Sequence, residues 1–484
     1  MRKRFEAQLK FGQTPIEVVK IPEKSRDELP PVLASLQWIF INPEINKQIF
    51  DLLEERVCGN KKETGRSGMD LWHILVLGVV RLTLDCDYDR LEYLVNYDVL
   101  LRQIMGLEPV SSLPFATGFH QKTISENVCH VDEELLGQLN EIIVKAGRPL
   151  FKKKEDEKIE AKADSYVLQS NVHFPTDVNL LWDACRGCIN IVNKLFENRN
   201  LPGWRKAKDW RKKIKKLMHK CGKIKRAGGP NKEERLKKAV VEFLAKCYEL
   251  EAKIFQSIKE LKNHTLELLE SLKIKEFEHF YNMLLKHIDL VDRRLLKGET
   301  IPHNEKVFSL FEPHTEWINK GKFSPPIELG HKLLITTDQY DLILDYKVME
   351  QTADINETLP LADRLLNKYG EDSFGSISFD KGFSDTEDRE LLKLYIPEVI
   401  MSKKGRLSQA DKERESSKKF KELRNKHSAI ESNINSLEHH GLNRCPDKGL
   451  TGFKRYAGLG VLAYNLHKIG NKLLEKQRRR KKAA

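Results

Sequence analysis

No apolar run among the 484 residues is long enough to cross a bilayer. The longest, Leu71 to Leu84, is interrupted by His73, Arg81 and Thr83 and falls short of the roughly 20 apolar residues a spanning helix needs. No apolar stretch follows the basic start Met1-Arg-Lys-Arg4, so the pattern carries no secretory leader. Cysteine is scarce: 8 residues, with Cys185-Arg-Gly-Cys188 as the one close pair. A single CxxC without a second pair or a histidine partner is a weak zinc signal. These absences argue against a membrane protein and a disulfide scaffold. They leave a cytosolic protein with reduced, structural thiols as the expectation.

What is present is charge, unevenly placed. The chain carries a net +13. Residues 201–240 alone hold a net +13 and residues 401–484 a net +14, so the remainder is acidic by 14. Two basic concentrations on an acidic body suit a polyanionic partner. Solvated lysine faces would give the same count, and charge alone leaves both open.

Length predicts two to four structural units. Residues 1–150 read as a helical domain after a polar, proline-flanked arm at Glu23–Pro31. Trp38–Val57, Met69–Leu84, Asp89–Leu107 and Thr123–Ala146 space their apolar residues helically, with Thr123-Ile-Ser-Glu126 as a capping box. The texture changes at Ile159-Glu-Ala-Lys-Ala-Asp164, which alternates as a strand does; Tyr166–His173 reads as a second strand. Asp177 is expected to cap the next helix. Residues 178–320 read as a helical insertion with the basic block inside it, and Asn231–Leu296 as a helical hairpin. Pro202-Gly203 and Ala227-Gly-Gly-Pro230 are its breakers. Trp204 and Trp210 are read as helix anchors rather than base-stacking platforms. Strands are expected at Lys332–Thr337, Leu342–Met349, Ser376–Asp380 and Glu398–Met401, with Asp338–Asp341 as a turn. Helices are expected at Thr358–Tyr369, Asp385–Leu394, Ala410–His440 and Leu459–Leu474. The tail Gln477–Lys482 reads as disordered. The fold class expected is mixed α/β, with strands at 151–177 and 321–470 forming one sheet and 471–484 a basic tail.

Three acids occupy places suited to chemistry. Asp164 and Asp380 are placed at strand ends, where a side chain points into a crevice. Glu431 lies in a long helix 51 residues beyond Asp380. Carboxylates from distant segments can converge on hard divalent cations. Two such ions would clamp the attacking and leaving oxygens of an in-line phosphoryl displacement. Taken singly, each acid is matched by an ordinary alternative: a turn former for the aspartates, a solvated helix residue for the glutamate.

The flanks add a family resemblance. Ala163-Asp-Ser165 with Asn171-Val-His-Phe-Pro-Thr-Asp177, then Gly321-Lys322 and Glu328-Leu-Gly-His-Lys332, resemble segments of the DDE transposases of bacterial insertion sequences. Phe379-Asp-Lys-Gly-Phe383 is similar to their second-acid motif. Ala429-Ile-Glu431 with Gly441-Leu-Asn-Arg444 and Ala463-Tyr-Asn-Leu466 resembles their C-terminal signature. The long helical insertion resembles that of the unclassified group labelled ISNCY. The resemblance spans about residues 159–177 and 320–470. It implies a ribonuclease H-like core in which Asp164, Asp380 and Glu431 are both the catalytic residues and the metal ligands. It also implies two Mg²⁺ ions per site, with Mn²⁺ as substitute. The partner implied is double-stranded DNA, both transposon-end inverted repeats and target, bound by a homodimer or larger assembly at the bacterial nucleoid, with no membrane role.

The pattern departs from the family where relatives carry Arg four residues before the glutamate and Lys seven after. Here these positions are His427 and Glu438. Lys381, Arg424, Lys426 and Arg444 are the candidate DNA contacts in their place, and Asp177 and Asp338 the nearest competing acids. The competing functions are a ribonuclease H-like nuclease that cuts without joining, and a DNA-binding transposase derivative without activity.

Overall fold

The computed structural model describes residues 2–5, 13–59, 68–109, 118–199, 203–262, 268–319, 321 and 326–483. Seven helices come first: α1 (Leu29–Ile41), α2 (Pro43–Leu53), α3 (Leu71–Thr83), α4 (Tyr88–Tyr97), α5 (Val99–Ile104), α6 (Gln121–Val128) and α7 (Glu133–Gly147). The long strand β1 (Ile159–Ser170) follows. Then come α8 (Asp177–Arg199), α9 (Ala207–Arg226), α10 (Lys232–Lys262) and α11 (Leu268–Val291). The chain returns to strand with β2 (Glu316–Asn319), β3 (Ile327–Thr337) and β4 (Ile343–Val348). After them run α12 (Thr358–Tyr369), β5 (Phe374–Phe379), α13 (Thr386–Leu392) and β6 (Glu398–Met401). The last elements are α14 (Gln409–Ser416), α15 (Lys418–His427), α16 (Ala429–Leu437), β7 (Arg444–Cys445) and α17 (Gly449–Ala483).

The protein is mixed α/β, and it divides into two units. One is Met1–Asn171 with Glu316–Ala484; the other is Val172–Thr315. The first unit holds the sheet. Its central strand β1 pairs antiparallel with β3 on one edge and parallel with β5 on the other, and β6 lies parallel outside β5. The far edge of β3 carries β4 at Leu333–Thr337 and β2 at Ile327–Gly330. The short β7 joins β1 at Gln169 and Ser170.

Capping chemistry divides the helical stretches more finely than apolar spacing does. Trp38–Val57 is interrupted because the Asn42 side chain accepts the Ile45 N–H and Pro43 opens a new helix. Asp98 does the same between α4 and α5, and Asp132 between α6 and α7. The capping box expected at Thr123–Glu126 is instead mid-helix, and α6 is capped by His120. Ala410–His440 is three helices: Ser417 caps α15, Ser428 ends it, and a kink at His440 and Gly441 closes the run. The arm at Glu23–Pro31 already contains the start of α1, with prolines in its first turn. The tail is helical to Ala483 rather than disordered, and Lys481 pairs with Glu23.

The first unit's apolar core is continuous from the N-terminal helices through the sheet to α17. Gly470 lets α17 approach α1 so closely that a Cβ there would collide with the Pro31 backbone. Arg81 of α3 and Asp447 form a buried, two-pronged pair at 2.6 and 3.1 Å. The Tyr88 ring lies 4.1 Å from its guanidinium carbon. Asn465 of α17, fully buried, accepts the Ile343 N–H at 2.8 Å and donates to the Ile343 carbonyl at 2.9 Å and to Asn140 at 2.7 Å. This one amide ties β4, α7 and α17 together. Replacing it with Leu takes this partner from the buried Ile343 N–H and Asn140 Oδ1, while the Ile343 carbonyl keeps Asn140 Nδ2. Asn465→Leu is expected to cost roughly 3 kcal/mol, read as a lowered urea midpoint at unchanged slope.

The second unit is an all-helical bundle of α8 to α11. Trp204 is buried and donates to Ser257 Oγ at 2.7 Å, and Lys246 Nζ lies 4.2 Å from the centre of the Trp210 ring. Both tryptophans therefore anchor the bundle. Of the two expected breakers, Pro202 lies outside the described residues. Cys185 and Cys188 point into the core, where burial pushes the Cys188 thiol up and Cys185 Sγ lies 3.7 Å from Cys247 Sγ. His287 is buried with neither ring nitrogen bonded among the described residues. Burial pushes its imidazole down to about 4. An unfolded histidine titrates near 6.5, so between these values only the unfolded chain takes up the proton. Stability is therefore lost as pH falls, by about 2 kcal/mol at pH 5. The His173–Asp183 pair of the same unit works in the opposite sense, its imidazole raised by that hydrogen bond. His287→Met removes only the first effect. The variant's melting temperature is expected to fall less than the parent's between pH 7 and 5.

Candidate active site

The alternation Glu160-x-Lys162-x-Asp164 places three side chains on one face of β1. Asp164 does not end the strand as expected. β1 is one strand through Ser170, and Asp164 stands in its middle. What ends there is its parallel neighbour. The last register pairs of β1 and β5 are Lys162 with Ser378 and Ala163 with Phe379. Asp164 and Asp380 are the next residues on each chain. Asp380 is still extended (φ −68°, ψ 164°) before the chain turns into a short helix at Lys381–Phe383. The two aspartates therefore occupy adjacent positions at the point where β5 leaves the sheet. Past this point β1 keeps β3 on one edge, and β7 is the next strand among the described residues to join the other.

The same face is covered by α15 and α16. His427 Nδ1 lies 2.9 Å from Ser378 Oγ, which fixes the end of α15 over β5. Burial pushes the His427 imidazole down, while the charges of Asp380 and Glu431 pull it up and that of Lys162 opposes them. Glu431 follows in the first turn of α16, across the break at Ser428, and its charge acts on His427. Asn433, which is buried, donates to Asp341 at 3.2 Å and accepts from Tyr464 at 3.0 Å, pinning α16 to the sheet. Asp380 and Glu431 are exposed, and neither carboxylate accepts a hydrogen bond among the described residues. Asp164 is half-buried, and its Oδ1 accepts the Ser165 N–H at 2.7 Å. As they stand, no three acids, histidines or cysteines among the described residues close a metal cage.

A cleft of about 600 Å³ opens on this face beside the three acids rather than over them: Glu160, Lys162, Ser376, Ser378, Tyr340 and Lys426 line it, and Asp164, Asp380 and Glu431 do not. Lys426 is engaged by Glu160 at 2.7 Å. Arg424 and Lys381 are exposed, Lys381 directly after the second acid. Arg444 lies beside Gln169, 3.5 Å from its side-chain oxygen. That is five residues beyond Asp164, roughly 17 Å along the strand. Register therefore sets Asp164 and Asp380 in neighbouring positions, and Asp380 and Glu431 both act electrostatically on His427; Lys381 follows Asp380, Lys426 lines the cleft, and Arg444 lies away. Glu438 acts electrostatically on Tyr166, two residues past Asp164.

The competing acids have structural roles. Asp338, fully buried, accepts the N–H groups of Tyr340 and Leu342 at 2.9 and 3.0 Å and pairs with Arg148 at 3.2 Å. Burial raises its carboxyl above the usual range. Asp177 is held by Arg294 at 3.1 Å, and the helix cap expected of it is supplied by Thr176, whose Oγ1 accepts the Asn179 N–H. His173 lies 2.6 Å from Asp183 in the second unit. Of the family-like flanks, Lys322 lies outside the described residues. Tyr464-Asn465 is the buried clamp already described. Comparison with family models, with curated proteins and with solved structures finds no match.

One residue under the site has no signal in the sequence. Asp354 accepts from Ser165 Oγ and from Lys332 Nζ, both at 2.7 Å. A Cβ on Gly382 would lie 3.1 Å from its Oδ2. Asp354 thus joins β1, β3 and the turn after Asp380 from the face opposite the cleft. Asp354→Ala is expected to destabilise by about 2 kcal/mol, since two hydrogen bonds to a charged group are lost. Asp354→Asn, which retains the Ser165 contact, should fall between it and the parent in chemical denaturation.

Proposed function

We propose that this chain is a DNA transposase with a ribonuclease H-like catalytic core, which cuts at insertion-sequence ends and joins the freed 3′-hydroxyls to target DNA. The observation that carries the reading is the end of the β1–β5 ladder at Ala163 and Phe379. It sets the first two acids of the motif side by side, below the helix that bears the third. A mixed sheet with parallel and antiparallel neighbours around one central strand is compatible with such a core. The donor set suits the metal the reading requires: three carboxylates, oxygen donors only, two of them exposed and without a hydrogen-bond partner among the described residues. Mg²⁺, or Mn²⁺ in its place, bound as a pair would neutralise the phosphate and stabilise the entering and departing oxygens.

Asp164 and Asp380 would act from the sheet, and Glu431 from α16. In cleavage, water attacks phosphorus, the P–O3′ bond breaks and the 3′ oxygen takes a proton. In joining, that hydroxyl attacks a target phosphodiester and displaces a 3′ oxygen in turn. Lys381, beside Asp380, is placed to meet a phosphate, and Arg424 and Arg444 are further candidate contacts. Acting on two ends requires two sites, hence a dimer or larger assembly on DNA. No helix among the described residues is long and apolar enough to cross a membrane, and the proposed setting is the bacterial cytoplasm at the nucleoid.

The experiment uses linear duplexes carrying the DNA that flanks the gene, with Mg²⁺ and a supercoiled target. The parent is expected to cut and join. Asp164→Asn, Asp380→Asn and Glu431→Gln should each reduce cutting about 1000-fold or more while retaining end binding and melting temperature. Cutting without joined product would replace the transposase with a nuclease. Binding without cutting by the parent would leave a DNA-binding derivative.

A further inference from the structure

Helix α9 carries ten Lys and Arg against one Asp in 20 residues, and their placement is more informative than their number. Its inner stripe is Ala207, Trp210, Ile214, Leu217 and Cys221, packed within the second unit's core. The opposite stripe is Lys208, Lys212, Lys215, Lys216, His219, Lys223 and Arg226, every one exposed. These positions recur every three or four residues, so they form one row along the outer face. The row is roughly 27 Å long at 1.5 Å per residue. Among the described residues no carboxylate pairs with any of these lysines, whereas Lys220, off the row, pairs with Glu242.

Like charges at this spacing repel and weaken the helix that carries them. The fold holds them in line because Ala207, Ile214 and Cys221 of the inner stripe, and Trp204 just before the helix, are buried, with Trp210 and Leu217 packed against them. A rigid row of unpaired cations of this length matches the phosphate backbone of a duplex, which presents a negative charge every 1.7 Å or so of axis. The row consists mostly of lysines, point charges without the planar fork that reads guanine edges. The outer face has no apolar stripe with which to enter a lipid surface.

We propose that the outer face of α9 is a sequence-independent docking track for the phosphate backbone of double-stranded DNA. It would hold flanking or target DNA without selecting it. The proposal deepens the transposase reading by giving the second unit a task, and it rests on that reading only for the source of the DNA.

The test is fluorescence anisotropy of the full-length protein with two unrelated 30-base-pair duplexes over a salt series, beside Lys208→Gln/Lys212→Gln/Lys215→Gln/Lys216→Gln/Lys223→Gln. Removing five phosphate contacts is expected to make the log–log salt slope shallower by about 4 to 5. It should also weaken binding on the order of 100-fold at 0.1 M salt, equally for both duplexes. The melting temperature should hold or rise, since repulsion is relieved. An unchanged slope overturns the proposal, as does a loss confined to one sequence. So does a variant whose DNA binding is intact while its binding to phosphatidylserine vesicles is lost. If the parent shows the expected slope yet neither cuts nor joins, the docking track stands and the transposase reading falls.

Discussion

The candidate site depends on where one backbone ladder stops. β1 and β5 run parallel and in register to Ala163 and Phe379, and then β5 turns away while β1 continues. In a parallel pair, residues in register project to the same face. Ending the pairing there leaves two neighbouring carboxylates, one on each chain, at the point where β5 turns out of the sheet. A single-residue slip of register would put Asp164 beside Phe379 and separate the acids. The turn after Asp380 is supported from behind by Asp354, which grips Ser165 on β1 and Lys332 on β3. The geometry of the acids is thus set by sheet pairing and by a buttress on the other side of the sheet.

The third acid is positioned by a different principle. Glu431 is exposed, and its place is fixed by neighbours that are not. His427 is docked on Ser378 at the end of the preceding helix, Ile430 is buried in the core, and Asn433 is pinned between Asp341 and Tyr464. Helix α17 carries Tyr464 and Asn465 and so couples α16 and the β4 edge to the N-terminal helices. The sheet acids are held by hydrogen-bonded backbone, and the helix acid by side-chain packing. The second arrangement permits small adjustments of α16 relative to the sheet that the first does not permit between the two aspartates.

Much of this was legible in the sequence. The period-two patterns at Ile159-Glu-Ala-Lys-Ala-Asp164 and at Ser376-Ile-Ser-Phe-Asp380 announce strands and assign each acid a face. The long helical hairpin, the turn at Asp338 and the two tryptophan anchors follow from apolar spacing and turn chemistry. Strand extents did not follow: nothing local distinguishes a strand that ends at Asp164 from one whose neighbour ends there. Helix boundaries were missed wherever one Asn, Asp or Ser side chain capped a backbone N–H inside an otherwise continuous apolar pattern, as at Asn42, Asp98 and Ser417. Asp354 could not be found, because its partners lie 189 and 22 residues away and the loop around it has no distinguishing pattern. The basic block was visible as a sum, but its division into a buried stripe and an outer row needed the helix phase of α9.

The second unit leaves and rejoins the sheet at nearly one place. It departs just after Gln169 on β1 and returns at Glu316 on β2, and Gly330 of β3 is the register partner of both. The departure and return points are therefore two strand spacings apart, about 10 Å. Topologically the whole bundle is the connection between two parallel strands, β1 and β2, that flank β3. Lengthening such a connection adds little closure entropy to the core that bears it. A cassette attached in this way can be gained, exchanged or lost in a single in-frame event while the sheet keeps its threading. The two units are thus free to diversify at different rates, the acids constrained by strand register and the lysine row by nothing in the sheet at all.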